Sequence, residues 1–200
     1  MTTPGSSRPT SPRLDQVIEA TRRLFVQYGY RRTGMEDIAR EAGLAKATLY
    51  LHFEGKEEVF RAMLERCREV IAQRCDAAEA QAAPLARRLA ALLEANFGTP
   101  LEWFGDTAHM AELRSIMRED DLARALKADE AFRERLRRLL KTAAAAGEID
   151  LARAGLSLEE VADVLLQGAQ GAKHRRKGAY GEAVAKLVRL TLTGLAVSAD

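Results

Sequence analysis

The chain has 200 residues, 47% of them hydrophobic and 30% charged, so it can bury a core and wholesale disorder is excluded. Its 31 Lys and Arg against 29 Asp and Glu leave a net charge of +2, far from the basic excess of a protein that holds nucleic acid by charge alone. The balance is uneven: residues 1–56 carry nine basic and six acidic side chains, a local +3, and the other 144 residues sum to −1.

The longest stretch without a charged residue is Leu190–Ala199, well short of the ~20 apolar residues that a membrane-spanning helix needs. The first twelve residues, MTTPGSSRPTSP, have no apolar segment and read as a disordered tail rather than a signal peptide. Cys67 and Cys75 fall in one expected helix, where the rise of about 1.5 Å per residue sets their Cα atoms about 12 Å apart, too far for a disulfide. Two unbridged thiols fit a reducing, cytoplasmic setting.

Apolar spacing of three and four predicts helices throughout. Leu14, Val17, Ile18, Thr21, Leu24, Phe25 and Tyr28 form the first stripe, stopped by Gly29. A second long stripe runs through Val59, Phe60, Met63, Leu64, Cys67, Val70 and Ile71 and must end by Pro84. Leu85, Leu89, Leu92, Leu93 and Phe97 form the next, which Gly98-Thr99-Pro100 is expected to close. A helix over about 101–118 should follow, then a long one built on Leu122, Leu126, Phe132, Leu136, Leu139 and Leu140 and capped by Gly147. Ser157 with Glu160 is a capping-box pair opening a helix through Val161, Val164, Leu165 and Ala169, and a last helix carries Val184, Leu187, Val188, Thr191 and Leu195. No segment alternates with the period of a strand, so the expected class is all-α, with about nine helices.

Residues 30–56, YRRTGMEDIAREAGLAKATLYLHFEGK, are the most specific stretch. Thr33 and Glu36 have capping-box spacing for a helix over Met35–Ala42. Gly43 stands where a tight turn needs positive φ, and a second short helix is expected over about Ala45–Leu51. Ile38 and Leu49 supply the contact between the two helices, and Ala39 is small where their backbones approach. An ordinary helical hairpin would also want these. It does not explain the polar face of the second helix, where Lys46, Thr48, Tyr50 and His52 can meet phosphates or base edges with no acid between Glu41 and Glu54.

On these residues, 13–60 resemble the DNA-binding domain of the TetR family of bacterial transcriptional regulators. The resemblance is carried by RLDQVIEATRRLFVQYGYRRT, by DIAREAGLAKATLYLHF and by GKEEVF, about a quarter of the chain. It implies a helix-turn-helix domain over 13–56 and a larger helical effector-binding and dimerisation domain over 57–200. It also implies a role for each matched residue. Lys46, Ala47 and Thr48 would face the major groove, Tyr50, His52 and Lys56 would meet phosphates, and Thr33 would lie near the DNA backbone. Ala45, Gly34 and Gly55 depart from the polar residues usual at those positions.

A single short recognition helix reads few bases, so the implied state is a homodimer on a palindromic double-stranded operator. The last two helices are the expected interface. The final one is apolar nearly all round, and Gly168, Ala169, Gly171 and Ala172 permit close approach on the other. A pair of core helices in a monomer would look the same. Phe97, Trp103, Phe104, Met110, Met117 and Phe132 mark the expected effector region, suited to a small apolar or aromatic molecule, although each could be plain core. His109 and Glu112 lack a third metal ligand, and the basic run at 173–177 reads as a solvated loop. No cofactor, metal or catalytic residue is expected: the sequence has no nucleophile motif and no phosphate-binding Gly-rich loop. The expected function is a ligand-released repressor, with a DNA-binding regulator or architectural protein lacking any effector as the alternative.

Overall fold

The computed structural model describes residues 12–104, 112, 115–173 and 179–196. His109, Met110 and the basic run after Lys173 lie outside the described residues. The elements are α1 (Pro12–Tyr28), α2 (Met35–Glu41), α3 (Lys46–Tyr50), α4 (Lys56–Ala80), α5 (Leu85–Leu93), a π turn (Glu94–Gly98) and α6 (Thr99–Phe104). They continue with α7 (Glu119–Ala145), the single turn α8 (Leu151–Ala154), α9 (Leu158–Ala172) and α10 (Tyr180–Gly194). Every regular element among the described residues is helical, so the chain is all-α as its periodicity predicts. It divides into two compact units, Met1–Arg66 and Cys67–Asp200, and the division falls inside α4.

In the first unit, the α1 stripe brings Val17, Ala20 and Leu24 against Ile38, Ala39 and Ala42 of α2, Leu49 of α3, and Phe53 and Val59. Beside this core, Tyr30 meets Phe25 edge-on at 5.3 Å between ring centroids and Phe60 at 5.7 Å. Gly29 ends α1 with φ +81°, as expected.

The second unit is built on Leu89, Leu92 and Leu93 of α5, Leu136 and Leu140 of α7, Val161 and Leu165 of α9, and Val184 and Val188 of α10. The Asp150 N–H donates to the Leu195 carbonyl at 2.9 Å, tying the chain after α7 to the end of α10. The Ser157–Glu160 box forms: the Ser157 N–H donates to the Glu160 carboxylate at 2.7 Å, and the Glu160 N–H donates to the Ser157 hydroxyl at 3.2 Å. Gly168 has a specific task, because a Cβ there would lie 2.6 Å from the Leu187 side chain. The glycine therefore lets α9 and α10 approach within the chain.

Three expectations are corrected. Gly98-Thr99-Pro100 does not close the helix; the chain widens into the π turn and continues as α6. Pro100 is then the second residue of α6, in a first turn where no N–H is required of it. The buried apolar stripe of α7 begins at Phe132, while Leu122 and Leu126 are 45% and 71% exposed. Leu122 lies about five full turns before the buried Leu140, on the same face, so the phase is kept and it is the core that reaches α7 only from Phe132 onward. Finally, α2 is capped one residue later than the Thr33–Glu36 spacing suggests, at Gly34, whose N–H donates to Asp37 Oδ2 at 2.9 Å. Both registers offer an acid three residues on, and burial of Thr33 decides between them.

Candidate nucleic-acid interface

α2 and α3 are joined by a turn that only one residue type closes without strain. Gly43 takes φ +65°. Its N–H donates to the Arg40 carbonyl at 3.1 Å and the Leu44 N–H to the Ala39 carbonyl at 2.9 Å, which satisfies carbonyls of the last turn of α2. Ile38 and Leu49 are both fully buried, with Ala39 only 3% exposed beside them, so the relative placement of the two helices is set by apolar contact.

The burial of Leu49 fixes which side chains of α3 face solvent. At about 100° per residue, Ala47 and Leu51 lie within about 20° of the direction opposite Leu49. Tyr50 and Thr48 stand on the two flanks, and Lys46 lies further round on the Tyr50 side. Ala47 and His52 are exposed, Tyr50 is 46% exposed and Leu51 is 83% exposed. Lys46, Ala47, Thr48, Tyr50 and His52 are thus presented together by one short segment.

The remaining two expected residues point elsewhere. Thr33 is 2% exposed and its hydroxyl donates to the Gly29 carbonyl at 2.9 Å, so it locks the end of α1. The Lys56 ammonium donates to the Tyr30 carbonyl at 2.9 Å and sits 4.1 Å from the centre of the Tyr30 ring. The Tyr30 hydroxyl donates to Glu57 at 2.9 Å. Burial, and then Glu57, push the Tyr30 hydroxyl well above the ordinary tyrosine range. Tyr30, Lys56 and Glu57 form a fastening between the end of α1 and the start of α4.

Two neighbours are not evident from the sequence motif. Glu36 at the start of α2 forms an ion pair with Lys46 at the start of α3. The hydrogen bond to Lys46 holds the Glu36 carboxyl below its usual range, and the same bond raises the Lys46 ammonium. Leu51 is the other; its helical phase relative to Leu49 shows that the two leucines cannot share a face.

In the second unit, Phe97 of the π turn meets Phe132 of α7 edge-on at 5.7 Å, and the Lys173 ammonium lies 4.7 Å from the centre of the Phe97 ring. Phe104 is buried, and Trp103 and Met117 are partly buried. Of the expected effector residues, then, Phe97 and Phe132 are brought together, and Met110 lies outside the described residues. Among the described residues no group of three His, Cys, Asp or Glu could hold a metal ion, and no helix is long and apolar enough to cross a membrane. Cys67 and Cys75 are unbridged and buried, and burial pushes their thiols up to about 12 and about 11.

Residues 17–63 match the family model for bacterial regulatory proteins of the tetR family. The chain is 40% identical over 62 residues to the transcriptional activator FasR of Mycolicibacterium smegmatis, covering 31% of this chain and 28% of that protein. It is 38% identical over 53 residues to IcaR of Staphylococcus epidermidis, the negative transcriptional regulator of a biofilm operon, covering 26% and 29%. Both matches therefore span under a third of those relatives. A solved TetR/AcrR regulator from Thermobifida fusca is similar in fold along nearly the whole length, with a TM-score of 0.69, 24% identity, and coverage of 92% of this chain and 98% of that one. With its buried Ile38–Leu49 contact, its Gly43 turn and the exposed face of α3, the segment that the tetR family model matches, residues 17–63, has the form of that family's helix-turn-helix unit.

Proposed function

We propose that this protein is a cytoplasmic, ligand-released transcriptional repressor that binds a palindromic DNA operator as a homodimer. The observation that carries the reading is the exposed face of α3, where Lys46, Ala47, Thr48 and Tyr50 stand clear of a helix anchored through Leu49. In this reading Lys46, Ala47 and Thr48 enter the major groove and Tyr50 and His52 hold phosphates. Thr33 and Lys56 act behind them, keeping α2 and α4 in place.

Dimerisation through α9 and α10 is supported by Val164 and Leu190, 49% and 72% exposed on those two helices. An apolar effector would act near Phe97 and Phe132. α4, whose residues are shared between the two units, is the element through which a ligand bound in one would alter the other. Repression is the assigned sign, although the relatives include one activator and one negative regulator.

Selection of bound fragments from a random DNA pool tests the reading. Enrichment of a palindrome with two half-sites about one helical turn apart is the expected result. An unenriched pool would remove the function and leave the fold. A thermal-shift screen of apolar and aromatic compounds without a single stabiliser would favour the regulator without an effector.

A further inference from the structure

The face of α3 and its C-cap residue Leu51 that points most directly away from the core of the first unit is apolar. Ala47 and Leu51 are four residues apart, on one face, and centred opposite the buried Leu49. The hydrogen-bonding side chains Thr48 and Tyr50 stand to either side of that face. Leu51 is 83% exposed, the most exposed of the large apolar side chains among the described residues, so core packing does not account for it. Lys46 is the long cation of this helix, and it is paired with Glu36 on α2.

Each base pair offers the major groove a pattern of donors and acceptors, with one apolar group, the C5-methyl of thymine. Ala47 and Leu51 have nothing to give to N7, O6, N4 or N6. Pressed against those groups they would strip water from a donor or acceptor without replacing its hydrogen bond, which is unfavourable. Against a thymine methyl they remove apolar surface from water on both partners.

We infer that α3 reads thymine methyl groups through Leu51 and Ala47, so that each operator half-site carries thymine where Leu51 meets the groove. This rests on the DNA-binding reading above and adds the base that is read. Tyr50 and Thr48 then fix the register from the two sides, and Leu51 selects.

The test uses the palindrome from the selection experiment, resynthesised with deoxyuridine in place of single thymines, which removes one methyl and leaves every donor and acceptor. Replacing the thymine facing Leu51 in one half-site should weaken binding about 3- to 5-fold, and in both half-sites about 10- to 20-fold, on the scale of one buried methyl group. Leu51→Ala should bind the thymine and deoxyuridine operators equally. Enrichment of a palindrome whose deoxyuridine forms all bind the wild type as well as the parent would overturn the inference while the DNA-binding reading stands. Loss of affinity in Leu51→Ala without any deoxyuridine effect would also overturn it, assigning Leu51 to the sugar-phosphate wall. Failure to enrich any sequence would refute the DNA-binding reading itself, a result distinguishable from both.

Discussion

Lys46 reaches any operator only after a choice between two anions, Glu36 of its own chain and a phosphate of the DNA. In the structure it is paired with Glu36. A lysine already matched by a carboxylate releases few counterions when DNA arrives, so it adds little to the salt dependence of binding. Glu36→Gln removes the competitor and keeps the side-chain shape. Each lysine newly available to phosphate steepens the slope of log K against log salt by about 0.9, or about 1.8 for a dimer. Between 50 and 200 mM salt that corresponds to a change of about 3.5-fold per half-site and about 12-fold for the dimer. The variant should therefore bind operator more tightly than wild type at 50 mM, with the advantage shrinking about 12-fold by 200 mM. Fluorescence anisotropy titrations across that range measure it. The pair persists well into mildly acidic buffer, because Lys46 holds the Glu36 carboxyl below its usual range. Lys46→Ala made in both backgrounds separates pairing from bulk charge, and it should cost more in Glu36→Gln than in wild type. Parallel salt plots, together with equal costs of Lys46→Ala in the two backgrounds, would refute the competition.

Gly43→Ala should lower the melting temperature by about 2–8 °C, the range expected when a left-handed position costing about 1–2 kcal/mol is imposed on a chain of this size. The cost is conformational, because a Cβ there would meet nothing closer than the Gln16 amide at 4.0 Å; differential scanning calorimetry decides it. Tyr50→Phe should weaken binding to operator and to unrelated DNA alike, by about 2- to 12-fold per half-site, the worth of one ordinary hydrogen bond. A loss confined to operator in a gel-shift titration would show that Tyr50 reads bases. If the protein is the dimer proposed above, Leu190→Arg should elute as a monomer from a size-exclusion column with an unchanged helical spectrum; a variant that elutes as wild type does would refute an interface through α10.

Most helix boundaries were legible because their causes are local. Gly29 and Gly43 end helices through their own positive φ, and Ser157 with Glu160 opens α9 through two side chains three residues apart. The exceptions were decided at longer range. The pattern through Leu85–Phe97 gives no sign of a π turn. Phe97 packs on Phe132, 35 residues away, while Pro100 falls where a first helical turn tolerates it, and these circumstances are not visible in the spacing. Leu122 and Leu126 continue the stripe in phase with Leu136 and Leu140, and spacing cannot show that the core reaches α7 only from Phe132 onward.

The site was legible as chemistry and less so as geometry. Spacing predicts the polar side chains of α3, since Lys46, Thr48 and Tyr50 stand in one short run. It cannot reveal that Thr33 and Lys56 turn inward, because a hydroxyl and an ammonium satisfied by carbonyls look the same in sequence as a pair waiting for phosphate. Spacing does show that Leu49 and Leu51 cannot share a face, but only the packing on Ile38 decides that Leu49 is the buried one and Leu51 the one 83% exposed. The charge balance takes on a different meaning once these pairings are known. Around the helix-turn-helix, Lys46 is matched by Glu36, Arg40 by Asp37 and Arg23 by Glu41. Cations paired in this way attract any phosphate backbone weakly, so sequence-independent binding is held down. With that attraction reduced, discrimination depends on the centre of α3, where an exposed leucine meets a base edge that either carries a methyl group or does not.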